Sequence, residues 1–94
     1  MIGISRVGTT VHVELPSRFD HRCVKEFQQL MTFPERTWVL DLSKVDYVDS
    51  AALGMLLVLR ERVGPGGSIA LRGAHGQARQ VLLMTKFERM FDVQ

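Results

Sequence analysis

Cysteine is almost missing from this sequence. Cys23 stands alone, so no internal disulfide can form, and a reducing compartment is expected. Long apolar runs are missing too. The longest, Ala51 to Leu59, is nine residues, against the roughly 20 that a membrane-crossing helix needs. No basic flank followed by an apolar stretch opens the chain, so no secretory signal is read. A cytoplasmic location without direct membrane insertion is the expectation. Charge of one sign is scarce. The formal net charge is +2, which leaves out the dense basic patch that nucleic-acid binding requires. The small basic excess lies in the second half (Arg60, Arg62, Arg72, Arg79, Lys86, Arg89), where an acidic partner could be met.

Catalytic and metal motifs are likewise absent. His12, His21 and His75 have no metal-ligand spacing to one another or to Cys23. Gly64-Pro65-Gly66-Gly67 lacks the Lys-Ser/Thr of a phosphate-binding loop, and no Gly-x-Ser-x-Gly elbow surrounds Ser50. Neither an enzyme nor a metal or other cofactor is expected.

What remains is ordinary for a small globular protein. Of the 94 residues 46% are hydrophobic and 23% charged, enough for one domain over 1–94 with a thin core. Ile2 to Val7 and Thr10 to Leu15 read as a hairpin or a pair of neighbouring strands, with Val11-His12-Val13-Glu14-Leu15 alternating at the period of a half-buried strand. Asp20 suits a helix N-cap before Val24, Phe27, Leu30 and Met31, which recur at helical spacing. This gives a helix of about 12 residues ending before Pro34. Trp38 to Leu42 reads as a central strand buried on both faces. Ser43 to Asp49 reads as a polar connection. Ser50, read as an N-cap, opens a second helix to about Val63, stopped by the Gly-Pro-Gly-Gly turn. On it Leu53, Leu56, Leu57 and Val63 are placed toward the sheet, with Met55, Val58 and Leu59 elsewhere. Ser68 to Leu71 is a strand, and Gln77 to Met84 a helix that breaks or continues at Thr85. The expected fold is α/β, a roughly four-stranded mixed sheet with helices mainly on one face.

One stretch is more specific. Val39-Leu40-Asp41-Leu42-Ser43 ends an apolar strand in Asp-Leu-Ser. A short spacer then leads to Asp49-Ser50-Ala51-Ala52-Leu53-Gly54. This resembles the signature of the STAS family, of the anti-sigma factor antagonist type, and Ser17-Arg18-Phe19-Asp20 resembles that family's earlier loop. Ala51 and Ala52 stand where many members have Ser or Thr followed by Gly, and Ser17 stands where a glycine is usual.

The resemblance implies a STAS fold and a bacterial partner-switching role in signal transduction and transcription regulation. In such proteins the serine after the motif Asp is phosphorylated; carried over, that is Ser50. The implied partners are a protein serine kinase acting as anti-sigma factor or switch protein, which itself binds the ATP, and a serine phosphatase. Asp20, Asp46, Tyr47, Asp49, Ser50, Ala51, Ala52 and Met55 are the implied partner-contact residues. A monomer or weak dimer is expected. The alternative is a non-phosphorylated STAS subunit of a lipid-trafficking ABC transporter, in which the same surface grips an ATPase.

The chemistry of such a switch is simple. Phosphorylation adds about −1.5 to −2 charges and three acceptor oxygens. At a helix start the dipole and first-turn amides tolerate that charge. A partner docked over it would have to bury a hydrated dianion, and each 1.4 kcal/mol of penalty costs about tenfold in affinity.

Overall fold

The computed structural model describes residues 2–94. A two-residue turn begins the fold. Gly8 takes φ of +62° while Thr9 stays at negative φ, the pattern of a type II′ turn with glycine at its first central position. It joins strand β1 (Gly3–Val7) to β2 (Thr10–Glu14) as an antiparallel hairpin. Each following strand of this sheet then pairs in parallel: β4 (Thr37–Asp41) on β2, β6 (Ser68–Arg72) on β4, and the short β7 (Asp92–Val93) on β6. The order is β1-β2-β4-β6-β7.

The register aligns the apolar positions. Val11, Trp38 and Ile69 lie in one row, and Val13, Leu40 and Leu71 in the next. All six are buried because every helix lies over this face. The other face is uncovered, so its residues His12 and Glu14 are exposed and Val39 is half-buried. β4 is thus central, as expected, but buried fully on one face only.

Helix α1 (Val24–Leu30) follows a 3-10 turn at His21–Cys23, together close to the single helix expected there. Phe27 and Leu30 face the core. Helix α2 (Ser50–Val63) buries Ala52, Met55, Leu56, Leu59 and Val63, the i, i+3, i+4, i+7 stripe of a core-facing helix. The sequence-based orientation of α2 is corrected here. Met55 and Leu59 belong to the core and Leu57 is 41% exposed, whereas Leu56 and Val63 are buried and Val58 is exposed as expected. Helix α3 (Gly76–Met84) stops at Thr85, where Lys86 turns left-handed at φ of 59° before a 3-10 turn at Phe87–Arg89.

Two features were not anticipated. β7 adds a fifth strand, extended by the Gln94 amide donating to the Leu71 carbonyl at 2.8 Å. The segments read as loops also contain a second, two-stranded ladder: β3 (Arg18–Phe19) parallel to β5 (Tyr47–Val48). This ladder draws the loop before α1 against the loop before α2.

The turn after α2 is tight. A Cβ added at Gly67 would overlap Val63 Cγ1 and lie 2.5 Å from the Arg36 carbonyl oxygen. Neither neighbour can move without displacing the core or the start of β4. Gly67→Ala is therefore expected to lower stability by about 1–3 kcal/mol, read as a fall in urea midpoint with unchanged slope. A midpoint equal to wild type would show that the turn relaxes freely.

Candidate functional site

The site is assembled where β2 and β4 end. The ladder sets its floor. Ser17 offers its carbonyl to the Asp46 amide at 2.8 Å and to the Tyr47 amide at 3.3 Å. Phe19 and Val48 pair across the ladder and are buried, as is Val45. On the far side of β5, Gln77 acts in place of a strand. Its Oε1 accepts from the Val48 amide at 2.9 Å and its Nε2 donates to the Val48 carbonyl at 3.0 Å. The loop leading into α2 is thus clamped on both edges. Gln77 carries no local sequence signal for this role, because its partner lies 29 residues away.

Asp49 is the hub. Its Oδ1 accepts from the Ala52 amide at 2.9 Å and caps α2. Its Oδ2 accepts from the His21 amide at 3.2 Å and lies 3.5 Å from His21 Nδ1. One carboxylate therefore fastens the start of α2 to the turn before α1. Partial burial resists its charge, but the amides of Ala52 and His21, with the His21 ring, outweigh that and hold its pKa below the ordinary value; the nearby Asp20 charge opposes them.

This assigns the cap differently from the sequence reading. Asp49 is the N-cap and Ser50 is the first helical residue. Asp49 has the extended backbone a cap needs (φ −117°, ψ −177°) and a carboxylate long enough to reach two segments. Ser50 is left exposed on the first turn.

The other named residues separate by burial. Asp46 and Tyr47 are exposed and Ala51 is half-buried. The Arg18 guanidinium lies 4.9 Å from the centre of the Tyr47 ring, a cation–π distance. Ala52 and Met55 do not belong to an outer surface: both are buried, because they lie on the core stripe of α2. Asp20 is 3% exposed. It accepts from Arg22 Nε at 3.1 Å and Arg22 Nη2 at 2.9 Å, and from the Arg22 amide at 3.1 Å. It is therefore committed to the turn before α1 rather than displayed. Arg18 and His21 were not singled out for this surface, although their side chains are 60% and 73% exposed beside it.

Two measurements check this electrostatic arrangement. Asp49→Ala is expected to cost about 1 kcal/mol through loss of the cap, while Ser50→Ala leaves stability nearly unchanged. The reverse order in denaturant titrations would return the cap to Ser50. The Arg22 side-chain hydrogen bonds, reinforced by its amide and charge, outweigh burial and hold the Asp20 carboxyl down to about 2, from an ordinary 3.8. A depressed acid stabilises the fold above its unfolded value and loses that contribution as pH falls through its folded one. Stability is thus expected to decline from pH 3.8 toward 2, with a shallower decline in Asp20→Asn. Equal slopes would remove Asp20 from the acid response.

Among the described residues no group of three or more His, Cys, Asp or Glu could hold a metal ion, and no helix is long and apolar enough to cross a membrane. Comparison with known proteins agrees with the geometry. A family model described as the MlaB STAS domain matches residues 2–92. A STAS-domain containing protein of Pseudomonas aeruginosa strain UCBPP-PA14 is 31% identical over 90 residues, spanning 92% of this chain and 89% of the relative. Among solved structures, an anti-sigma-factor antagonist domain protein from Planctomyces limnophilus superposes with a TM-score of 0.82 at 18% identity, over 98% of this chain and 87% of that one. The anti-sigma factor antagonist SpoIIAA in its unphosphorylated form gives 0.80 at 17% identity, over 100% and 87%. Bacillus SpoIIAA in its phosphorylated form gives 0.76 at 16%, over 100% and 91%. At these identities the structures speak for the fold, a mixed sheet carrying three helices on one face, and the family match runs from the first strand into the last: the chain belongs to the STAS-domain family.

Proposed function

We propose that this chain is a regulatory protein-binding module whose hold on its partner is released by phosphorylation at Ser50. The observation that carries the proposal is the division of labour between Asp49 and Ser50. Asp49 takes the cap of a 14-residue helix and leaves Ser50 exposed on the first turn. The hydroxyl can then be modified without removing a bond that the fold needs. A phosphate there would sit at the positive end of the α2 dipole, which stabilises it.

The same phosphate is unwelcome to a docked protein. Asp49 adjoins it and exposed Asp46 is on the loop before it. The added charge therefore joins the carboxylates of Asp46 and Asp49. The surface offered to a partner is Asp46, Tyr47, Ser50 and the outer side of Ala51. Arg18 and His21 extend it beyond the residues first named. The partner proposed is a serine kinase that doubles as anti-sigma or switch protein and binds the ATP, with a separate serine phosphatase resetting the switch. The chain itself does no chemistry in this scheme, and it works in the cytoplasm as one domain.

The description of the matched family model, a MlaB-type STAS domain, favours one second reading. There the same surface grips the ATPase of a lipid-trafficking ABC transporter constitutively, and Ser50 stays unmodified. Site-mapped intact-mass spectrometry on protein from its native host separates the two. An adduct of about 80 Da on Ser50, the mass of one phosphoryl group, is expected for the switch. Its absence across growth conditions with phosphatases inhibited would favour the constitutive subunit. In titrations against the partner, Ser50→Asp is expected to weaken binding at least tenfold with the fold intact, while Ser50→Ala binds and cannot be released. Equal affinity of wild type and Ser50→Asp would defeat the charge argument.

A further inference from the structure

The two edges of the main sheet differ. The β7 edge is two residues long, a length that offers little to pair with. The β1 edge is five residues long, and every one of them is exposed. Proteins blunt such edges with proline, lysine, bulges or a covering element. β1 has no proline or lysine, and its five-residue register with β2 runs without a bulge. Its one charge, Arg6, is turned aside: Nε and Nη2 donate to Glu35 at 2.7 and 3.0 Å, and the guanidinium lies 4.2 Å from the centre of the Phe33 ring.

The hairpin turn decides which backbone groups face outward. A two-residue turn makes Val7 and Thr10 a hydrogen-bonded pair. Alternation along the antiparallel ladder then gives the same status to Ser5–His12 and Gly3–Glu14. Ile4 and Arg6 are left with their N–H and C=O groups aimed away from β2.

We propose that β1 is a self-association edge, on which a second copy of this chain pairs antiparallel about a two-fold axis at Ser5. In that register Ile4 of one copy faces Arg6 of the other, and both outward amides and both outward carbonyls of each strand find partners. Ile4 of each copy meets the aliphatic stem of the other's Arg6, so no like charges are directly opposed. Ile4 and Val7, 48% and 63% exposed, lose water contact. Five residue pairs bury far less than the roughly 1,200 Å² of a standard stable interface. The dimer is accordingly weak and concentration-dependent. It is independent of what happens at Ser50.

Position-specific cross-linking tests the register. The two Ser5 residues would form a non-hydrogen-bonded pair with Cα atoms about 4.5 Å apart, within the roughly 4.4–6.8 Å that a disulfide spans. Val7 of each copy would lie opposite Gly3, far from the other Val7. Under mild oxidation Ser5→Cys is expected to give a dimer whose disulfide maps to position 5, and Val7→Cys is expected to give none. Sedimentation velocity of the full chain over a concentration series should show monomer passing to dimer. Ile4→Pro, which removes one outward N–H and no bond to β2, should lower the association constant at least tenfold with thermal unfolding little changed. A chain that stays monomeric through the series, or cross-links equally at positions 5 and 7, would overturn the proposal.

Discussion

The arrangement of this molecule around its candidate site depends on one carboxylate. Asp49 satisfies the first-turn amide of Ala52 with one oxygen and the His21 amide with the other. Helix starts leave orphan amides that must find acceptors, and two segments begin side by side here. Without a shared acceptor, the turn before α1 and the start of α2 would each need separate partners. The β3–β5 ladder brings the two segments together, Gln77 closes the outer edge, and Asp49 locks the result. Asp20 does the same service within its own turn through Arg22.

That economy has a functional consequence. A serine acting as both cap and phosphoacceptor would set modification against folding. Giving the cap to Asp49 separates the two, so the proposed phosphorylation of Ser50 would leave the helix start intact. The rigid support beneath matters as well. Phe19, Val45 and Val48 are buried under the loop, which fixes the position of Ser50 against the sheet while its side chain stays in water.

Much of this was legible along the chain. Alternation at Val11 and Val13, the apolar run through Leu40 and the glycine-rich stop after Val63 report local periodicity or local turn chemistry, and they located the first two strands, β4 and α2; the Asp-Ser motif located the site loop through its resemblance to the STAS signature. The two-residue strands escaped because two residues carry no period. β3, β5 and β7 exist only through their partners. The facing of α2 was misjudged because apolar residues occupy most of its girth, so either of two stripes could serve as the core face. The sheet selected Ala52, Met55, Leu56, Leu59 and Val63. Ala52 and Met55 moved from surface to core for that reason.

By itself the sequence determined the longer elements and their order, since backbone propensity and short-range spacing are properties of neighbouring residues; the phosphoacceptor candidate came from the resemblance of the Asp49-Ser50 stretch to the STAS signature. Tertiary structure alone decided which face of α2 is buried and which distant groups (His21, Arg18 and Gln77) hold the loop that leads to Ser50. Those outcomes depend on contacts across tens of residues. Many hydrogen-bonding partners are chemically equivalent along the chain, and only folding brings one of them within bonding distance.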